Sequence, residues 1–306
     1  MTKTKELEAV LTHLKRLAIE VTQHGTDVSQ RRRLLDGYFS VSPEVVETLV
    51  EPAEVTVGSR AGYWFVPENN DGQRRMLYIH GGSWMSGSVE GWKAFVARLA
   101  IACDCAILFI DYSLMPEAPF PAGLNDCLDA YYWLRKNGPA SSIMADEVFI
   151  AGDSAGGNLS LACLLALKDK NSPMPDKVLA ISPCTDFTAS GASMQTHQEI
   201  DPIINALAIP LLGAAYLKTS NQGLTHPLAS PLFGELSGLP PLMLQTGEAE
   251  VLLDDSRRFA EKVVQAGGEV LLDTWPDMPH VFQGFAPFLP EASDAIKRIA
   301  IFFKSL

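Results

Sequence analysis

The chain has 306 residues, a length that suits one large α/β domain or two small ones. Apolar residues at 47% supply a sizeable core, and nothing in a composition with 20% charged residues suggests disorder. A formal net charge of −12 sets the surface against phosphate backbones and excludes nucleic acid as an expected partner.

In chain order, the N-terminus MTKTKELEAV lacks a continuous apolar stretch and a small-residue cleavage site. No later run is long and apolar enough for a bilayer, so a cytoplasmic protein without a membrane span is expected. Leu7, Val10, Leu11, Leu14, Leu17, Ala18 and Val21 recur at helical spacing, with Lys5, Glu6, Glu8, Lys15 and Arg16 opposite them. That pattern predicts an amphipathic helix, with an in-plane membrane helix as the rival reading. A second helical patch covers 31–39.

From residue 55 the pattern changes. Runs at 55–57 and 63–66 are short and β-rich, split by glycine-containing turns. Strands are predicted at 76–79, 106–110, 148–151, 178–181, 242–245 and 270–274. Helices are predicted near 92–102, 121–136, 155–167, 256–266 and 292–303. Short buried strands alternating with helices predict a mostly parallel sheet covered on both faces. The stretch 186–239 breaks this rhythm with helix-like and Pro/Gly-rich pieces, as an insertion forming a lid or cap would.

The five cysteines are odd in number, form no CxxC pair and mostly lie in apolar runs. They read as buried thiols in a reducing compartment. Cys103 and Cys105 have the spacing to point to one face of a strand, but without a His or further Cys nearby they make a poor zinc site, so no metal site is expected.

Chemistry concentrates at Gly152-Asp153-Ser154-Ala155-Gly156, a GxSxG between a predicted strand and a predicted helix. In that context the serine stands on a sharp turn at a helix N-terminus, where the dipole favours negative charge. Ser154 is the candidate nucleophile. His80-Gly81-Gly82-Ser83-Trp84 follows the 76–79 strand. Paired glycines let backbone N–H groups approach an oxyanion, so Gly81, Gly82 and Ala155 are the expected donors. His80 shapes that loop.

Of the histidines after Ser154, His197 and His226 fall within 186–239 and read as cap or surface residues. His280 follows the last predicted strand on a loop, the place for a general base. The acid that orients it lies among the carboxylates of Gly247-Glu248-Ala249-Glu250-Val251-Leu252-Leu253-Asp254-Asp255.

Together, HGGSW, DYSLMPEAPFPA (111–122), GDSAGGN and the late HVF resemble the hormone-sensitive-lipase-like family of bacterial esterases and lipases, in that family's order from about residue 63 onward. The resemblance implies an α/β-hydrolase fold with residues 51–306 as catalytic domain. It also implies a helical cap built from residues 1–50 and a second segment at 186–239, and no cofactor. The family's acid motif, G-x-x-D-P-L-x-D, places Glu250 at the catalytic position in preference to Asp254, with Val251 in place of the proline. Ser113 stands where the family carries arginine, and Met115 where it carries alanine. Glu117 matches an acidic position expected to support the His280 loop. Some members pair edge strands, which leaves a homodimer open.

The expected activity is hydrolysis of short- to medium-chain carboxylic esters through a Ser154–His280–Glu250 triad. Rivals are an amidase or formamidase of the same fold, a ligand-binding relative without catalysis, and a lipase acting at a membrane surface. Trp84, Tyr38, Phe39, Ile204, Leu207 and Leu211 are candidate pocket residues.

Overall fold

The structure is a computed structural model that describes residues 3–24, 27–41 and 50–305. In chain order the strands are β1 (Ala53–Val57), β2 (Arg60–Phe65), β3 (Arg74–Ile79), β4 (Ala106–Ile110), β5 (Glu147–Asp153), β6 (Lys177–Ile181), β7 (Leu242–Gly247) and β8 (Val270–Trp275). They form one sheet in the order β1-β2-β4-β3-β5-β6-β7-β8. The β1–β2 and β2–β4 pairings are antiparallel, and every pairing from β4 to β8 is parallel.

The helices are α1 (Lys5–Gln23), α2 (Val28–Leu35), α3 (Val89–Cys103), α4 (Ala122–Lys136), α5 (Ala155–Asp169), α6 (Ser193–Thr196), α7 (Ala208–Tyr216), α8 (Leu253–Gln265) and α9 (Pro290–Lys304). The predicted helix over 31–39 starts earlier, at Val28, where Asp27 caps it by accepting from the Gln30 N–H at 3.0 Å. It ends at Leu35 and continues as turns to Phe39.

The central strands read as unbroken apolar runs because both faces are covered. Period-two alternation sorts them between two cores. Leu77, Ile79, Leu108, Ile110, Val148, Ile150, Val178 and Ala180 pack with α4, α5 and α8. Met76, Tyr78, Ile107, Phe109, Phe149, Ala151, Leu179 and Ile181 pack with α3 and α9, and with Leu7, Val10, Leu14 and Leu17 of α1. All five cysteines are buried free thiols.

Because β3 to β8 are parallel, the segments leaving β3, β5, β6, β7 and β8 emerge at one edge. These segments carry His80, Ser154, Ser182, Glu250 and His280. Between β6 and β7 the chain makes α6, α7 and a 3-10 turn at Pro231–Phe233.

Candidate active site

Ser154 occupies the turn between β5 and α5 with φ 54° and ψ −116°. A non-glycine residue at positive φ is strained by about 1–3 kcal/mol, which neighbouring contacts must offset. The Ser154 N–H donates to Ile181 O at 2.8 Å, tying the turn to β6. A Cβ on Gly156 would collide with the Ile79 carbonyl, so only glycine lets α5 pack this closely on β3. Ala155 is the first residue of α5, where a backbone N–H has no intrahelical partner.

His280 lies on the loop after β8, and Glu250 on the loop after β7. Their side chains hydrogen-bond through His280 Nδ1 and Glu250 Oε2, both buried. The other carboxylate oxygen, Oε1, accepts from Ser182 Oγ at 2.8 Å, from the Gly247 N–H at 3.0 Å and from Thr246 Oγ1. The backbone carbonyl of His280 accepts from Tyr38 Oη at 2.7 Å. Val281 N–H donates to Ser182 Oγ at 3.3 Å. His280 is therefore held at its ring, at its backbone carbonyl and through the next residue.

Burial alone would pull the His280 pKa down. The adjacent Glu250 carboxylate, aided by the Asp201 and Asp153 charges, outweighs that and raises it above the ordinary 6.5. Asp153 itself is pushed up to about 6 by burial, with partial compensation from hydrogen bonds to Tyr78, Trp92 and Gly81.

Ser154 and His280 line the same cavity of about 670 Å³. Its floor includes Gly82, Ser83 and Asp153. Its walls come from α1 and α2 with the following turn (Ala18, Val21, Leu35, Tyr38, Phe39) and from residues 198–212 (Ile203, Ile204, Leu211 among them). Of the candidate pocket residues, Tyr38, Phe39, Ile204 and Leu211 line it. Trp84 instead packs between Phe187 and Tyr216, with ring centroids at 4.9 and 5.2 Å, and Leu207 is 80% exposed.

One expected oxyanion donor sits differently. The Gly81 N–H donates to Asp153 Oδ1 at 3.0 Å, the oxygen that also accepts from Tyr78 Oη at 2.8 Å and Trp92 Nε1 at 3.0 Å. A buried carboxylate captures it because this carboxylate needs donors to offset desolvation. Gly82 has φ 107°, followed by Ser83 at 58° and Trp84 at 57°. This left-handed run turns the loop so that Gly82 and Ser83 face the cavity.

Glu117 also departs from expectation. It pairs with Arg32 of α2 (3.0 and 2.7 Å) and not with the His280 loop. The same guanidinium donates to Met85 O at 2.7 Å and Met115 O at 3.2 Å. Arg32 thus gives Glu117 its cationic partner from a helix far upstream in the chain. His197 bonds to Thr196 Oγ1 at 2.7 Å and His226 sits against Phe120, and neither lines the cavity.

The site residues that sequence reasoning missed are Asp153 as an acceptor, Ser182, Arg32 and Asp201. Asp153 lay in plain view inside GxSxG. Ser182 had a signal in its place directly after a strand neighbouring the elbow. Arg32 and Asp201 belong to no motif. Among the described residues, no group of three or more His, Cys, Asp or Glu is placed to hold a metal ion.

The sequence pattern of the alpha/beta hydrolase fold matches residues 76–284, well over half of the chain. A crystal structure of an esterase from the bacterial hormone-sensitive lipase family superposes with a TM-score of 0.89 at 35% identity, covering 99% of both chains. The chain is an α/β-hydrolase of the hormone-sensitive-lipase-like family. This hydrolase is 37% identical over 257 residues to an acetyl-hydrolase of Streptomyces hygroscopicus, covering 84% of each chain. It is 36% identical over 231 residues to an esterase of Acinetobacter venetianus, covering 76% of the hydrolase and 75% of that esterase. Among its described residues no helix is long and apolar enough to cross a membrane.

Proposed function

We propose that this hydrolase is a carboxylesterase that cleaves short- to medium-chain acyl esters through Ser154, His280 and Glu250. The observation that carries the reading is the buried Glu250–His280 pair opening onto the same cavity as a serine held at positive φ. His280 takes the Ser154 proton as Oγ attacks the ester carbonyl, and Glu250 stabilises the resulting imidazolium. Gly82 and Ala155 N–H groups meet the oxyanion, a donor of this kind being worth ~10²- to 10³-fold in rate. Gly81 serves the same end by fixing the loop to Asp153.

The alcohol leaves with the proton from His280. Water activated by the same imidazole then frees the acid and restores Ser154. The N-terminal segment 1–50 and the segment 186–239 act as a cap on the catalytic domain 51–306, since both contribute walls to the cavity. Five buried thiols fit a cytoplasmic setting. Self-association through the exposed edge of β8, where Leu271 is 51% exposed, belongs to the same reading.

The test is a p-nitrophenyl ester series from acetyl to palmitoyl, with wild type beside Ser154→Ala. Highest kcat/KM on the shorter esters, abolished in Ser154→Ala, is the expected result. Turnover in Ser154→Ala equal to wild type sinks the mechanism. Cleavage of the matching anilides in preference to the esters makes the protein an amidase.

A further inference from the structure

We propose that Asp201 is a positioning residue for ester hydrolysis, holding the Glu250 loop from the segment that roofs the cavity. The inference rests on the Ser154–His280–Glu250 reading above. Asp201 is 9% exposed and lines the cavity that His280 also lines. Its Oδ1 accepts from the N–H groups of Ile203 and Ile204, both at 2.9 Å, closing the turn that starts the cavity roof. Its Oδ2 accepts from the Val251 N–H at 2.9 Å. Val251 directly follows Glu250, so one carboxylate joins the roof to the acid's own backbone.

A second bond from the same segment grips the other side of this residue. Ser193 Oγ donates to Val251 O at 2.6 Å and accepts from Asp254 N–H at 3.0 Å. The backbone of Val251 is thus held at its N–H by Asp201 and at its carbonyl by Ser193. The Asp201 bond exists because this chain carries valine where the related acid motif carries proline, which has no N–H to give. Glu250 is the longer acid, with one more rotatable bond than aspartate. Its carboxylate meets three donors and His280 together only while its backbone is fixed. The Asp201 charge also faces His280, alongside those of Glu250 and Asp153 and near the Tyr38 hydroxyl bonded to the His280 carbonyl.

The experiment compares Val251→Pro, Asp201→Ala, Asp201→Asn and Val251→Pro/Asp201→Ala with wild type. It uses steady-state hydrolysis of p-nitrophenyl butyrate across pH, with Glu250→Gln as control and thermal unfolding of each protein. Val251→Pro and Asp201→Ala are each expected to lower kcat roughly 10- to 100-fold, the loss of one hydrogen bond to a charged acceptor, with KM changed much less. The double variant should fall no further than the worse single one, because both remove the same bond. Asp201→Asn should move the acid limb of kcat/KM to lower pH, since a negative charge beside His280 is gone.

If Asp201→Ala does not fold, Val251→Pro carries the test, its proline being the residue the related motif uses there. Should Val251→Pro keep kcat within about twofold of wild type while Glu250→Gln loses it, the positioning role is overturned. A change in KM alone in Asp201→Ala also overturns it, leaving a wall of the cavity. A Glu250→Gln enzyme as fast as wild type refutes the triad reading itself, whatever Asp201 does.

Discussion

Replacing Glu250 by glutamine tests how the acid works more sharply than deleting it. In the native site Oε1 accepts from Ser182, Thr246 and the Gly247 N–H, while Oε2 meets His280 Nδ1. A glutamine in this place has one oxygen and one NH2. Three donors already point at the Oε1 position, so the amide oxygen must take it and the NH2 must face Nδ1. Nδ1 then accepts, and the imidazole proton moves to Nε2, where it blocks proton transfer from Ser154. The imidazolium formed during attack also loses its counter-charge. An enzyme with the wrong tautomer loses ~10⁴-fold in kcat, equivalent to about 5 kcal/mol of barrier. Glu250→Asp keeps the charge but shortens the reach by about 1.5 Å, and a misplacement of that size costs ~10²-fold. The assay is kcat on p-nitrophenyl butyrate for the three proteins, with circular dichroism to confirm the fold. A Gln variant as active as the Asp variant contradicts the tautomer argument, because both differ from wild type in geometry but only one in proton placement.

Four further outcomes are expected. The acid limb of kcat/KM should lie above pH 6.5, since His280 must be neutral to act and its pKa is raised above that value; a limb well below 6.5 contradicts the pairing with Glu250. Burial pushes Asp255 up to about 8 from 3.8, so its ionisation opposes folding increasingly between those pH values. Asp255→Asn should therefore raise the melting temperature more at pH 8 than at pH 4, and a constant difference counts against it. Gly156→Ala places a methyl group on the Ile79 carbonyl and should destabilise by more than about 3 kcal/mol, read as loss of soluble protein or a large drop in melting temperature. Arg32→Ala breaks two carbonyl contacts and the Glu117 pair. The pair is exposed and adds little, so about 1–3 kcal/mol is expected, mostly from the carbonyl bonds, with Arg32→Lys recovering little because its ammonium cannot fork.

The order of strands and helices was legible because a sheet covered on both faces forces short continuous apolar runs, and those from 76–79 to 270–274 each became a strand of the expected sheet. Ser154 was legible because its turn demands glycine on both sides. The place of His280 beside Glu250 was legible because both fall on loops that leave neighbouring parallel strands at the same edge. Other features depend on contacts between distant segments, which local patterning does not encode. Nothing near Ser113 says that a helix eighty residues upstream carries the guanidinium for Glu117. Nothing in the HGG pair says that the first N–H binds a carboxylate while the second glycine lines the cavity. Trp84 has the size of a pocket residue, but the three consecutive positive φ angles from Gly82 to Trp84 carry it to the aromatic cluster behind the loop.

The place of Arg32 bears on how such enzymes can be recombined. Its helix both walls the cavity and carries the side chain that braces Met85 and Met115, two loops of the catalytic core. The amino-terminal helices are therefore not an interchangeable accessory. A chimera that borrows them from a relative without arginine at position 32 would leave both loops without a guanidinium and Glu117 without its cation. Compatible exchange requires the arginine at position 32 to travel with its helix.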